Sequence, residues 1–164
     1  VVGMINATNW IDGLDGLASG NLIISSLGTL LILFLINSPF NFSLFPLCLV
    51  GCSIGFLFFN FYPAKIYMGD CGSNFLGFMA ASIAIGITQN NQEKINLLTI
   101  LFLNFLPILN MTLVIFERIN NGESLFKPDY RHLHHKLMKS GFSHKNSVIF
   151  LYIFSIFCSK TVIS

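Results

Sequence analysis

The chain has 164 residues, 54% of them hydrophobic and only 10% charged, with a net charge of +2 and a mean hydropathy of +0.72. A soluble domain carries about 25% charged residues, so there is too little polar surface here to cover a water-soluble globule. The class is integral membrane, and no nucleic-acid partner is expected.

The N-terminus reads Val1-Val2, with no basic stretch ahead of a short apolar run. Neither a signal peptide nor a transit peptide is visible. The simplest expectation is the C-terminal half of a longer protein, forming a single integral-membrane catalytic domain over residues 1–164.

A polar constellation follows at once: Asn6-Ala7-Thr8-Asn9-Trp10-Ile11-Asp12-Gly13-Leu14-Asp15-Gly16-Leu17-Ala18. Asn6, Asn9, Asp12 and Asp15 recur every third residue, which on a helical turn projects them to one side. A glycine after each Asp allows close backbone approach to a ligand. Helix capping would need one Asp; two acids and two amides exceed that job.

No Asp, Glu, Lys or Arg occurs between Asp15 and Lys65. A helix needs about 20 apolar residues to cross the hydrocarbon core. The gap therefore predicts two crossings, at 17–36 and 43–61, separated by a turn at Asn37-Ser38-Pro39-Phe40-Asn41.

The second constellation runs from Asn60 through Tyr62-Pro63-Ala64-Lys65-Ile66-Tyr67-Met68-Gly69-Asp70-Cys71-Gly72-Ser73. Asp70 is either an N-cap or one carboxylate of a magnesium–phosphate site, since Mg²⁺ takes one or two carboxylates and fills its other positions with phosphate and water. Further charge-free stretches predict helices at 72–90 and 95–116. Pro107, flanked by Asn104 and Asn110, predicts a kink in the latter, either structural or lining a substrate groove.

The third constellation is Lys127-Pro128-Asp129-Tyr130-Arg131-His132-Leu133-His134-His135-Lys136. Its cations disfavour zinc and suit anion recognition of phosphate or diphosphate. A fifth helix is predicted at 146–160. Of the four cysteines, Cys48, Cys52 and Cys158 lie in apolar runs and read as small hydrophobes, and Cys71 borders Asp70.

With these helices, residues 1–16, 62–71 and 117–145 share one side of the membrane. That side holds Lys65, Arg118, Lys127, Arg131, Lys136, Lys139 and Lys145 of the nine basic residues, every acid except Glu93, and all four histidines. By the positive-inside rule it is cytoplasmic. The fold class is thus an all-α, multi-pass bundle of about five transmembrane helices with its chemistry on the cytoplasmic face. Acids that hold a divalent cation and bases that hold phosphates, bordering lipid, point to phosphoryl transfer to or from a lipid-anchored substrate.

Three segments, Asn-x-x-Asn-x-x-Asp-Gly-x-Asp-Gly-Leu-Ala, Pro-Ala-Lys-Ile-Tyr-Met-Gly-Asp-x-Gly-Ser and Arg-His-Leu-His-His, in this order from Asn6 to about Gly141, resemble the signatures of the polyprenyl-phosphate N-acetylhexosamine-1-phosphate transferases. This is glycosyltransferase family 4, which includes phospho-N-acetylmuramoyl-pentapeptide transferase. The resemblance implies transfer of an N-acetylhexosamine 1-phosphate from a UDP-sugar to polyprenyl (undecaprenyl) phosphate, with release of UMP, at the cytoplasmic face of the inner (plasma) membrane. It also implies Mg²⁺, with Mn²⁺ as an alternative, and leaves a homodimer open. Asp70 matches the magnesium-binding catalytic aspartate, and Tyr67 matches the aromatic that stacks on uracil. Asn6, Asn9, Asp12 and Asp15 fall in the nucleotide-side motif, and His134 and His135 match the histidines near the diphosphate. His132 and Arg131 join them there, and Lys65 lies in the matching segment.

The His-x-His-His pattern, rather than Pro-x-His-His-His, resembles the branch that uses UDP-N-acetylglucosamine or a related sugar for O-antigen, teichoic-acid or other surface glycans. Three departures stand out. The Asp-Asp-x-x-Asp motif of the family's N-terminal half is absent, Asn110 replaces Asp in the Pro-x-x-Asp of the broken helix, and Tyr130 replaces Arg. Direct attack by the lipid phosphate and a covalent Asp intermediate both stay open. The rival readings are a transporter, with polar groups at the bilayer midplane, and a non-catalytic relative.

Overall fold

A computed structural model describes residues 1–90, 95–124 and 132–163. Among them are eight helices and no strand: α1 (Val2–Ile11), α2 (Leu17–Leu35), α3 (Asn41–Asn60), α4 (Gly69–Asn90), α5 (Leu97–Leu103), α6 (Phe105–Asn120), α7 (Leu133–Lys139) and α8 (His144–Ile163). The all-helical expectation holds. α2, α3 and α4 are each long and apolar enough to cross a membrane, and α5 with α6 makes a fourth crossing if the bent pair is one span. α8 covers the predicted fifth segment over 20 residues and packs along α2.

α2 is the axis of the bundle, touching α3, α4, α5 and α8. About 67% of its apolar window is buried, against 22% for α3, which leans on the bundle from one side. The interior face of α2 carries Ser25 and Thr29, whose hydroxyls donate back to Leu22 O and Ser25 O, so neither of these donors is stranded in an apolar interior.

Residues 1–16, expected as a loop, instead begin with helix α1. Its Met4, Ala7, Thr8 and Ile11 are buried at the i, i+3, i+4, i+7 spacing of an amphipathic helix, facing α4 and α6. The approach to α4 is close: a Cβ on Gly77 would lie 2.7 Å from Ile5 Cα and 2.9 Å from Met4 O. At the start of α2, Gly16 has φ +80°, a left-handed conformation that glycine adopts at little steric cost.

The kink expected at Pro107 is also corrected. The helix breaks at Asn104, where α5 and α6 meet at 84°. Pro107 then falls in the first turn of α6, where a missing N–H costs no helical hydrogen bond. α7 was not expected either. It is a seven-residue helix, too short and polar for an apolar run to reveal.

Candidate active site

The first constellation straddles the end of α1 and the turn into α2, and this turn is where the other two converge. From the end of α1, the Asn9 side-chain amide donates to Asp70 Oδ1 at 3.0 Å and to Ser73 Oγ at 2.9 Å. Ser73, fully buried in the first turn of α4, donates in turn to Gly69 O. Asp70 is exposed at the start of α4, where the positive end of the helix dipole favours a carboxylate.

Asp12 follows α1 as its C-cap. Burial first, and then the negative charges of Asp70 and Asp15, push its pKa from the ordinary 3.8 up to about 7. Asp12 thus feels the charge of both other carboxylates, and near neutral pH it holds a proton part of the time.

Asp15 is tied at both ends. Its Oδ2 accepts the Ala64 N–H at 3.0 Å, and its own N–H donates to His144 Nε2 at 2.9 Å. Asn60, buried at the end of α3, accepts from Gly16 N–H and Ser19 Oγ and donates to Ile66 O. These contacts stitch residues 60–66 to the turn at 12–16.

The third constellation arrives through α6 and α7. Asn110, 1% exposed, donates to Trp10 O at 3.3 Å and lies 3.2 Å from His132 Nδ1, while its Oδ1 accepts the Leu133 N–H at 2.9 Å. Arg118 lies over the Trp10 ring, 5.1 Å from the centroid, and His132 meets the same ring edge-on at 5.9 Å. Glu117 and Lys136 form an ion pair between α6 and α7.

His134 lies deepest. It is 1% exposed, packed beside His132 and His135, and its Nε2 has no hydrogen-bond partner among the described residues. A Cβ on Gly13 would fall 2.3 Å from that nitrogen, so glycine is the residue that lets the ring press against the Asp12–Asp15 turn. Burial, reinforced by His135, His132 and His144, lowers its pKa to about 3. His134 is therefore neutral and sits behind the acidic turn, not as a cation on the open face. The charge once expected of it would have to come from its neighbours.

Of the residues singled out from sequence, Asn9, Asp12, Asp15, Asp70, His132, His134 and His135 come together here. Asn6 does not: it is exposed and donates to Val2 O in its own helix. Tyr67 is 77% exposed and Lys65 is exposed, both on the segment that Asn60 and Asp15 anchor. Arg131 lies outside the described residues, as do Lys127, Asp129 and Tyr130. Sequence reasoning missed the work of Asn60, Ser73, Trp10 and His144. Asn110 had shown itself only as a flank of Pro107 and as a departure, although an amide in an apolar run is a signal that it has buried partners.

Among the described residues no cluster of three or more His, Cys, Asp or Glu is poised as a metal cage. All four cysteines are free thiols.

The chain is also similar to known proteins. The model of glycosyl transferase family 4 matches residues 1–88, more than half of the chain. A probable undecaprenyl-phosphate N-acetylglucosaminyl 1-phosphate transferase of Bacillus subtilis (strain 168) is 36% identical over 163 residues, 99% of this chain and 45% of that protein. A decaprenyl-phosphate N-acetylglucosaminephosphotransferase of Mycobacterium leprae is 36% identical over 93% of this chain and 43% of its own length. An undecaprenyl-phosphate alpha-N-acetylglucosaminyl 1-phosphate transferase of Yersinia pestis is 32% identical over 90% and 41%. The chain spans less than half the length of each of these relatives. With the family model matching across the first two constellations and these relatives matching across all three, the chain belongs to glycosyl transferase family 4.

Proposed function

We propose that the protein transfers an N-acetylhexosamine 1-phosphate, with N-acetylglucosamine as the favoured sugar, from a UDP-sugar to a polyprenyl phosphate at the cytoplasmic face of the membrane. The observation that carries this reading is the convergence of three remote segments on one turn: Asn9 on Asp70, Asp15 on Ala64 and Gly13 on His134. The names of the relatives supply the sugar and the lipid.

A phosphate oxygen of the lipid forms a bond to the sugar-bearing phosphorus, the bond from that phosphorus to the bridging oxygen breaks, and UMP leaves with the bridging oxygen. Such a reaction depends on positioning and on neutralising phosphate charge. In this reading Asp12 and Asp15 orient the nucleotide side, and Tyr67 offers an exposed ring for uracil. His132 and His135 face the diphosphate, and His134 supports the turn from behind.

The acidic space fits a divalent cation. Asp12 is kept partly protonated by burial first and then by the charges of Asp70 and Asp15, and a positive ion there would relieve that repulsion. Asp70, exposed and oriented by Asn9, would hold Mg²⁺ or Mn²⁺ with phosphate oxygens and water completing the shell. Bound there, the ion would neutralise the diphosphate.

The transporter reading requires ionisable groups deep in the spans. Here Asp12, Asp15, Asp70, His132, His134 and His135 all sit at or beyond helix ends, which favours an enzyme.

In the full-length protein, D70N should abolish Mg²⁺-dependent release of UMP from UDP-N-acetylglucosamine and undecaprenyl phosphate, while the wild type forms the lipid-linked product. Wild-type turnover in D70N would remove Asp70 from the site, and a wild type that forms no lipid-linked product would remove the reaction.

A further inference from the structure

We propose that His144 is a positioning residue for the nucleotide side of the site: by accepting the Asp15 N–H it holds that residue in place and so sets affinity for the UDP-sugar. This rests on the assignment of Asp15 given above. The backbone N–H of Asp15 lies 2.9 Å from His144 Nε2. A backbone amide can only donate, so Nε2 must present its lone pair and the ring proton must sit on Nδ1. Protonation of the ring fills that lone pair and turns the contact into two opposed donors.

The hold on Asp15 is two-sided. Its carboxylate is gripped by Ala64 N–H and its amide by α8. The His144 ring also stacks on Tyr62, with centroids 4.6 Å apart and planes 29° from parallel. One imidazole therefore ties α8 both to the turn and to the segment that leads to Tyr67 and Asp70.

Further along α8, Tyr152 donates to Gly16 O and Ser155 donates to Asn21 Oδ1. A Cβ on Gly20 would come within 2.0 Å of the Tyr152 hydroxyl. Tyr152 and Ser155 already fasten α8 to α2, so simple bracing does not need His144. What His144 adds acts on Asp15 itself, at the polar mouth, where the ring is half-buried. The titratable groups around it are Asp15 of the turn, Tyr62 of the 60–68 segment, His134 of α7 and Lys145 beside it on α8.

The test compares H144L and H144Q with wild type in the full-length protein in lipid nanodiscs. KM and kcat for UDP-N-acetylglucosamine are measured at one near-neutral pH, and hydrogen exchange is measured at the Asp15 amide. H144L should raise KM roughly five- to tenfold with kcat little changed, and should expose the Asp15 amide to exchange. H144Q, whose Oε1 can accept the same N–H, should stay within about twofold of wild type. A wild-type KM and a protected amide in H144L would overturn the proposal. So would H144Q matching the defect of H144L, since ring packing and not the acceptor would then be at work. Should H144L fail to fold, H144F decides: it keeps a ring against Tyr62 without the acceptor, so it should show the raised KM and exposed amide, and a wild-type KM with a protected amide would overturn the proposal. Should wild type release no UMP, the enzymatic reading falls, and amide exchange still decides whether His144 holds Asp15.

Discussion

Asp12 shows how the site stores charge in one residue. Its pKa of about 7 stands above the ordinary 3.8 because it is half buried and faces Asp70 and Asp15. The native state therefore keeps a proton that the unfolded chain releases between these values. This contribution to stability is fully present below about pH 3.8 and is lost as pH rises through about 7. Removing the charge should stabilise the protein where the carboxylate is ionised. D12N in the full-length protein should raise the melting midpoint by roughly a few degrees at mildly alkaline pH, give no gain near pH 4, and lose UMP release. Thermal unfolding followed across pH, with turnover measured alongside, checks all three. The presence of Asp12, Asp15 and Asp70 was legible in the sequence because acids at the edge of apolar runs stand out. The neutrality of His134 was not, since it comes from burial against Gly13, a contact 121 residues away along the chain.

Among the elements, those that sequence revealed are the ones whose apolar runs are long. α2, α3 and α4 lie within a few residues of the segments predicted at 17–36, 43–61 and 72–90. α1 and α7 were hidden because their stability comes from tertiary packing and not from length. The corner at Asn104 was misplaced because proline is the louder signal, yet in a first turn proline is tolerated. Asn110 is the element-level hinge of the site, joining α6 to α1 and to the start of α7 by hydrogen bonds in a fully buried position. N110L should leave the Leu133 N–H and Trp10 O unpaired at a cost of about 1–3 kcal/mol each. The expected outcome is faster hydrogen exchange at the start of α7 and at least a tenfold loss of turnover, with α2–α4 still protected. Unchanged exchange at Leu133 would contradict that role.

At the scale of the whole molecule, large apolar side chains such as Phe34, Phe45, Phe58, Phe75 and Phe157 point outward while serines, threonines and asparagines fill parts of the interior, a distribution suited to a lipid surround. The reactive groups meet around one turn, so they must share one side of any bilayer that α2, α3 and α4 cross. Single cysteines at positions 12, 70 and 135, in a background without native cysteines, should all react with a membrane-impermeant maleimide from the cytoplasmic side and none from the other. Split labelling would dissolve the common pocket. The expectation of sidedness rests on the crowding of Lys and Arg on one set of loops. Which side chains touch was not legible, because spacing along the chain says nothing about distances between α1, α4 and α7.

The right-angled corner between α5 and α6 has a price in tolerance to change. Asn110 stands six residues past Asn104, a run of only about 9 Å along α6, so the corner alone sets the phase at which this amide faces Trp10 and α7. One residue gained or lost in that short arm would swing the amide by about 100° around the helix, off its three partners and toward neighbours that cannot bond to it. Insertions that drift freely through surface loops should find this stretch closed to them, and the chain should hold its length from residue 104 to residue 110 even where the identities of the intervening side chains change.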